Sequence, residues 1–269
     1  MLNTLTQRRG LPPSAIPIGP TVVFLHYYGG SIRSWDAVLA QLAPDFHCLA
    51  IDLPGFGDSA ALSDHQTVDE VADAVAAVIV AQVGSRPFVL VGHSMGGKIA
   101  LAIAAGTSSS RPPAALQGLV LLAPSPPGAE PITNEDRQNM LDQPGLSPDE
   151  QRKAAEKTVD KITHLPIPKA VREQIIIDNL RSSPQGWTAW LTTGSLDDIT
   201  DRMARINVPV RILAGDQDEA LPYTVQPNMV QPYLPQAGLH IIAGAGHLLP
   251  QEAPDLVVKA IRSLCCQRQ

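Results

Sequence analysis

Short, dense apolar runs alternate along this chain with longer stretches in which apolar residues recur every three or four positions. The runs at Thr21–His26, His47–Asp52, Pro87–Val91, Gly118–Ala123, Val208–Ala214 and Gly238–Ala243 read as strands. Several are continuously apolar, as strands must be when helices cover both faces of their sheet. Between them, helical periodicity predicts helices over Ile32–Leu42, Val68–Val83, Met95–Ala105, Tyr223–Leu234 and Ala253–Cys265. Such alternation specifies an α/β fold with a largely parallel central sheet flanked by helices.

The alternation stops between Pro124 and Asn207. Helix-like pieces there are separated by Pro144-Gly145, Pro166-Ile167-Pro168 and Ser182–Pro184, with no convincing strand. A stretch of that length is too long for a crossover connection. It reads as a helical cap, residues 124–207, inserted over the C-terminal edge of a core made of residues 1–123 and 208–269. Thr107–Pro113 is a polar surface loop, and no internal repeat is visible.

Composition narrows the partners. With 20 basic against 26 acidic residues the net charge is −6, and no basic block is present. Nucleic acid and anionic membrane surfaces are therefore not expected partners. No apolar stretch approaches the ~20 residues needed to span a bilayer. Arg8-Arg9 is followed by Gly10-Leu11-Pro12-Pro13 rather than an apolar export segment. The three cysteines, Cys48, Cys265 and Cys266, offer neither a disulfide framework nor zinc spacing, which fits a reducing cytoplasm.

Gly92-His93-Ser94-Met95-Gly96-Gly97 follows the apolar run Pro87–Val91 and precedes the helical stretch from Met95. The bare Gly-x-Ser-x-Gly pattern turns up by chance about one time in ten in a chain of this length. Its place between strand and helix makes it a candidate nucleophile elbow, a turn so tight that only small residues fit at Gly92 and Gly96. A serine hydroxyl is nearly inert at neutral pH, so Ser94 needs an imidazole to take its proton and a carboxylate to orient that imidazole. Of the seven histidines, His247 lies just after a strand, in the flexible Gly244-Ala245-Gly246-His247. His93 must point away from its neighbour Ser94, and His26 is expected to bond loop backbone. For the acid, Asp216, Asp218 and Glu219 all follow the strand ending at Ala214; Asp218 is preferred, with Asp216 the main rival. Glu130 is more remote. One backbone donor for a developing oxyanion is expected from Met95, the other from the loop Phe24–Ser31, where Gly29-Gly30 permits close approach.

These residues together resemble the α/β-hydrolase superfamily, and the resemblance runs over nearly the whole chain. Ser94, Asp218, His247 stand in that family's order. Asp52-Leu53-Pro54-Gly55-Phe56-Gly57-Asp58-Ser59 resembles its loop after the next strand, here read as a structural turn. Gly215-x-x-Asp218-x-x-x-Pro222 resembles its acid motif, and Gly246-His247 with Glu252-x-Pro254 its histidine loop. The resemblance implies an α/β-hydrolase fold and a second oxyanion donor two residues after His26, hence Tyr28. Tyr27 stands where the family usually has glycine, a pattern similar to an esterase-like branch, and is a candidate substrate contact. The first 20 residues are too few and too proline-rich for two full opening strands, so the usual hairpin is expected to be shortened or lost.

Serine at the elbow excludes the dehalogenases of this fold, which use aspartate. The chemistry expected is acyl transfer to water from a small-molecule ester or lactone, with no cofactor and no metal. A perhydrolase, a haloperoxidase-type enzyme or a carbon–carbon bond hydrolase would use the same triad, and a ligand receptor on this scaffold would use little of it. Specificity should come from the cap, where Trp187 and Trp190 are three apart and expected to share a helical face as candidate pocket residues. Trp35 is expected to pack beneath the oxyanion loop.

Overall fold

Successive residues of the central strands point to opposite faces, and both faces are buried. In the computed structural model, which describes residues 4–7 and 19–265, Val23 and Leu25 share one apolar cluster with Leu49, Ile51 and Leu90. Val22 and Phe24 belong to a second, with Ala50, Val89 and Val91. This period of two, apolar at every position, is the physical reason the strands read as unbroken hydrophobic runs.

The strands are β1 (Thr4–Gln7), β2 (Thr21–Leu25), β3 (Cys48–Ile51), β4 (Phe88–His93), β5 (Leu116–Leu122), β6 (Val210–Gly215) and β7 (Gly238–Ile242). They form one sheet in the order β1-β3-β2-β4-β5-β6-β7. β1 runs antiparallel to β3 and the other pairings are parallel; the rest of the expected opening hairpin lies outside the described residues. Chain order reverses at β2, which lies between β3 and β4. The crevice beyond the C-terminal ends of β2 and β4 is thus a topological switch point, the place where open α/β sheets bind ligands.

α1 (Asp36–Leu42) and α9 (Pro254–Cys265) cover one face, while α2 (Val68–Val83) and α3 (Met95–Ala105) cover the other. α2 begins where the sequence places it because Thr67 and Glu70 form a reciprocal capping box. Residues 124–207 contain α4 (Asn134–Asp142), α5 (Pro148–Ile162), α6 (Lys169–Leu180) and α7 (Pro184–Ala189), and no strand. α8 (Leu249–Glu252) precedes α9.

Two expectations are corrected. Tyr223–Leu234 is not a regular helix but a wide turn, Gln226–Val230, followed by a 3₁₀ turn, Gln231–Tyr233. Pro227 and Pro232 supply no N–H to an α-helical ladder. The predicted helix Ile32–Leu42 likewise opens as a 3₁₀ turn, Ile32–Trp35, capped by Ser31. No helix among the described residues is long and apolar enough to cross a membrane.

Candidate active site

Ser94 stands between β4 and α3 with φ 52° and ψ −117°, outside the regions open to ordinary side-chain-bearing residues. Its peptide is held on both sides: its N–H donates to the Leu122 carbonyl at 2.9 Å, and its carbonyl accepts the Ser125 N–H at 3.0 Å. A Cβ on Gly92 would lie 2.4 Å from the Gly96 carbonyl oxygen, and one on Gly96 would lie 2.4 Å from that of Leu25. Only glycine lets α3 start directly against β2. Met95 occupies the first position of α3, where the backbone N–H has no acceptor within the helix.

The loop after β2 sits beside this helix start. Gly30 N–H donates to the Tyr27 carbonyl at 3.0 Å, and Gly29 takes φ +81°, as the third residue of a type II turn requires. Tyr28 is the other corner of that turn. Its ring lies 4.3 Å from that of Trp187, and its hydroxyl donates to the Trp187 carbonyl at 3.0 Å. Trp35 is fully buried 5.0 Å from Phe24, beneath the loop. His26 donates through Nδ1 to the Tyr27 carbonyl at 2.7 Å and accepts the Leu53 N–H through Nε2 at 2.9 Å. It ties this loop to the one after β3, as expected of a backbone-bonding histidine.

His247 and Asp218 meet. The imidazole Nδ1 is 2.7 Å from Asp218 Oδ2, with both side chains buried. Asp218 Oδ1 accepts the N–H groups of Ala220 and Leu221, each at 2.8 Å. The rivals are occupied elsewhere. Asp216 accepts the Gly244 N–H at 2.7 Å, and Glu219 is exposed and pairs with His164 at 3.4 Å. Burial alone would lower the His247 pKa; the charge and hydrogen bond of Asp218, with Glu130 and Glu252, overcome it and raise the value. His93 donates from Nε2 to the His247 carbonyl at 2.8 Å, and burial holds its own pKa well below the ordinary value. The neighbour of Ser94 therefore props the histidine loop as a neutral ring.

Glu252 fixes that loop from the other side. Its carboxylate accepts N–H groups from His164 (2.8 Å), Leu165 (2.7 Å), Gly246 (2.9 Å) and Leu248 (2.9 Å), while His247 N–H donates to the Ile162 carbonyl at 2.8 Å. The end of α5 and the histidine loop are thus one hydrogen-bonded unit. Asp52 does the same for the loop after β3, accepting the N–H groups of Ile32 and Asp58, which agrees with a structural reading of Asp52–Ser59.

The candidate cap residues fall on different walls. Trp187 packs on Tyr28 and donates from Nε1 to the Met140 carbonyl at 2.8 Å. Trp190 begins a wide turn, Trp190–Gly194, and borders a small void of about 20 Å³ with Met95, Phe56 and Leu53. The backbone stays helical through Ala189 and Trp190, so the two rings remain three positions apart on one helical run, with different neighbours. Tyr27 is buried among Val159, Ile175 and Leu248, 5.0 Å from the His93 ring. That makes it a packing residue under the loop rather than an open wall of a pocket.

Sequence reading gave no role to three residues that the fold brings here. Asp178 of α6 accepts the Ser31 hydroxyl at 2.8 Å. Glu130 is close enough to Tyr28, Lys98 and His247 for its charge to act on all three, and burial raises its own pKa. Lys98 is wholly buried on α3. Lys98 adjoins the elbow in sequence and was open to notice; the other two depend on how residues 124–207 fold back. Among the described residues no cluster of histidine, cysteine and carboxylate side chains could hold a metal ion.

The arrangement has counterparts among known proteins. A 2-succinyl-6-hydroxy-2,4-cyclohexadiene-1-carboxylate synthase of Yersinia pseudotuberculosis is 30% identical over 277 residues, 91% of this chain and 89% of that protein. A thermophilic esterase from Thermogutta terrifontis is 26% identical, covers 97% of this chain and 92% of its own, and superposes with a TM-score of 0.75. A bromoperoxidase from Bacillus anthracis, 18% identical, shares the fold with a TM-score of 0.82 over 98% of this chain and 94% of that one. The model of the alpha/beta hydrolase family matches residues 22–260, from β2 into α9, and the chain belongs to that family.

Proposed function

We propose that this hydrolase cleaves a small, uncharged carboxylic ester or lactone through Ser94, His247 and Asp218. The observation that carries the reading is the 2.7 Å contact between His247 Nδ1 and Asp218, whose second oxygen is fixed by two backbone amides. Donation from Nδ1 leaves Nε2 as the basic nitrogen. Ser94 Oγ attacks the carbonyl carbon as its proton passes to His247 Nε2. The N–H groups of Tyr28 and Met95 receive the developing oxyanion. Collapse expels the alkoxide, which takes the proton from His247. Water then repeats the sequence on the acyl-enzyme, releasing the acid and restoring Ser94.

Residues 124–207 act as a cap over the core of residues 1–123 and 208–269. Three bonds support this: Asp178 to Ser31, Trp187 to Tyr28 and Ser183 N–H to the Gly55 carbonyl at 2.8 Å. All lie at the C-terminal edge of the sheet.

An uncharged substrate is favoured over the carboxylate-bearing compound for which the Yersinia relative is named. The cations nearest Glu130 are already engaged by the protein. Lys98 donates to the Gly128 and Asp197 carbonyls, and Arg137 to the Leu191 carbonyl and Ser195 Oγ. The carboxyl of Glu130 adds negative potential beside His247. The test is a panel of neutral p-nitrophenyl esters and lactones run beside the substrate of the synthase. Turnover of the neutral compounds, abolished in Ser94→Ala, is expected; faster turnover of the carboxylate-bearing substrate would overturn the reading.

A further inference from the structure

Lys98 stands one helical turn beyond Ser94 on α3, and its backbone N–H donates to the Ser94 carbonyl at 3.3 Å. Its side chain leads away from the elbow. Nζ donates to two backbone carbonyls, Gly128 at 2.9 Å and Asp197 at 2.6 Å. Gly128 lies where the chain leaves the core after β5, and Asp197 where it returns ahead of the 3₁₀ turn Thr200–Arg205. The two passes are bonded to each other as well: Glu130 N–H to the Ser195 carbonyl at 2.8 Å, and Ile199 N–H to that of Pro127 at 2.9 Å. The Asp197 carboxylate accepts the N–H of Val68, the first residue of α2, at 2.7 Å.

An ammonium buried to zero exposure is costly, and an apolar side chain would fill the same volume. Burial draws the Lys98 pKa down to about 8, while Glu130, Asp197 and Asp198 oppose the fall. A charged donor of this length reaches both carbonyls at once, which no apolar residue does.

We propose that Lys98 is a positioning residue that clamps both passes between core and cap onto the nucleophile helix, fixing the distance from cap to Ser94. The inference rests on the reading of residues 124–207 as a cap over an esterase site. Lys98 touches no reacting atom. Its effect falls on substrates large enough to need the cap, and on the exchange behaviour of the two passes.

Hydrogen exchange and steady-state kinetics on Lys98→Met and Lys98→Arg test this. In Lys98→Met, the amides of Glu130 and Ile199 are expected to exchange at least about tenfold faster, with those of β4 and α2 unchanged. KM for a bulky aryl ester should rise about fivefold or more, while kcat for p-nitrophenyl acetate stays within about twofold. Lys98→Arg keeps charged donors and should recover both readouts. Unaltered exchange of Glu130 and Ile199 would overturn the proposal, as would an equal kcat loss on small and bulky esters, which would place Lys98 in support of the elbow alone. Should Lys98→Met not fold, Lys98→Gln, with one amide group in place of the ammonium, is compared with Lys98→Arg by the same readouts. The exchange result does not depend on ester turnover, so failure of the esterase reading leaves the clamp separately decided.

Discussion

Ser31 donates its hydroxyl hydrogen to Asp178 at 2.8 Å although the two are 147 positions apart in the chain. Ser31 also caps the 3₁₀ turn Ile32–Trp35. Asp178 additionally receives Arg33 at 3.3 Å and Gln174 at 3.0 Å, and burial raises its pKa despite these donors. One carboxylate thus registers α6 against the loop that carries Tyr28.

Asp178→Ala is expected to leave Ser31 Oγ without its buried acceptor and to destabilise the fold by about 2 kcal/mol, measured by urea unfolding. Loosening of the loop should also lower kcat/KM for a neutral ester by about tenfold or more. Asp178→Asn keeps an oxygen for Ser31 and should lose distinctly less of both. Equal losses in the two variants would mean that charge, not the hydrogen bond to Ser31, sets the register.

The raised His247 pKa fixes the sign of the pH dependence. His247 accepts a proton only when neutral, so the acidic limb of kcat/KM should have its midpoint above 6.5, the ordinary imidazole value. Asp218→Asn removes the charge that opposes desolvation, so the midpoint should move down while kcat falls by about 10³-fold or more. Asp216→Asn should shift neither by more than a few-fold. A midpoint unmoved in Asp218→Asn would separate Asp218 from the titrating group.

Glu252 accepts four backbone N–H groups around His247. Glu252→Gln keeps the shape but turns an NH₂ toward donors that need an acceptor, and each buried amide left unpaired costs about 1–3 kcal/mol. A loss of about 3 kcal/mol in unfolding free energy is expected, together with a fall in kcat, because Gly246 and Leu248 flank the imidazole. Wild-type stability in that variant would show that the loop is held by the Ile162 carbonyl alone.

Lys98 gives stability a pH dependence of its own. Its folded pKa of about 8 lies below the unfolded value of 10.5. Between those values the unfolded chain holds a proton that the folded protein has released, so stability rises with pH through that window. Unfolding curves of wild type and Lys98→Met should therefore diverge in favour of wild type by about 3 kcal/mol from pH 7.5 to 10.5. A constant difference across that range would mean that Lys98 keeps an ordinary pKa in the folded protein.

Local signals carried much of this into the sequence. α2 spans the predicted Val68–Val83 because its cap and its period agree. The elbow was legible because strand, glycine spacing and helix are contiguous. Asp218 and Asp216 were harder to separate, since both follow β6; only the fold turns one inward to His247 and the other to Gly244. Tyr223–Leu234 misled because its apolar spacing is helical while its prolines are not. Asp178 carried no local mark and Glu130 was visible only as a remote acid, since each meets its core partners only once residues 124–207 fold back over the sheet.

Where residues 124–207 meet the loop after β3, Gly55 and Gly186 stand backbone to backbone: a Cβ on either would fall within 2.7 Å of the other's Cα. No side chain there can be trimmed or enlarged to retune the joint. Under the proposed reading, substrate range would be retuned at side chains such as Trp187 and Trp190, with the joint itself held constant. Gly186→Ala becomes acceptable only after the loop at Gly55 has been rebuilt, so neither position can change its side chain independently of the other.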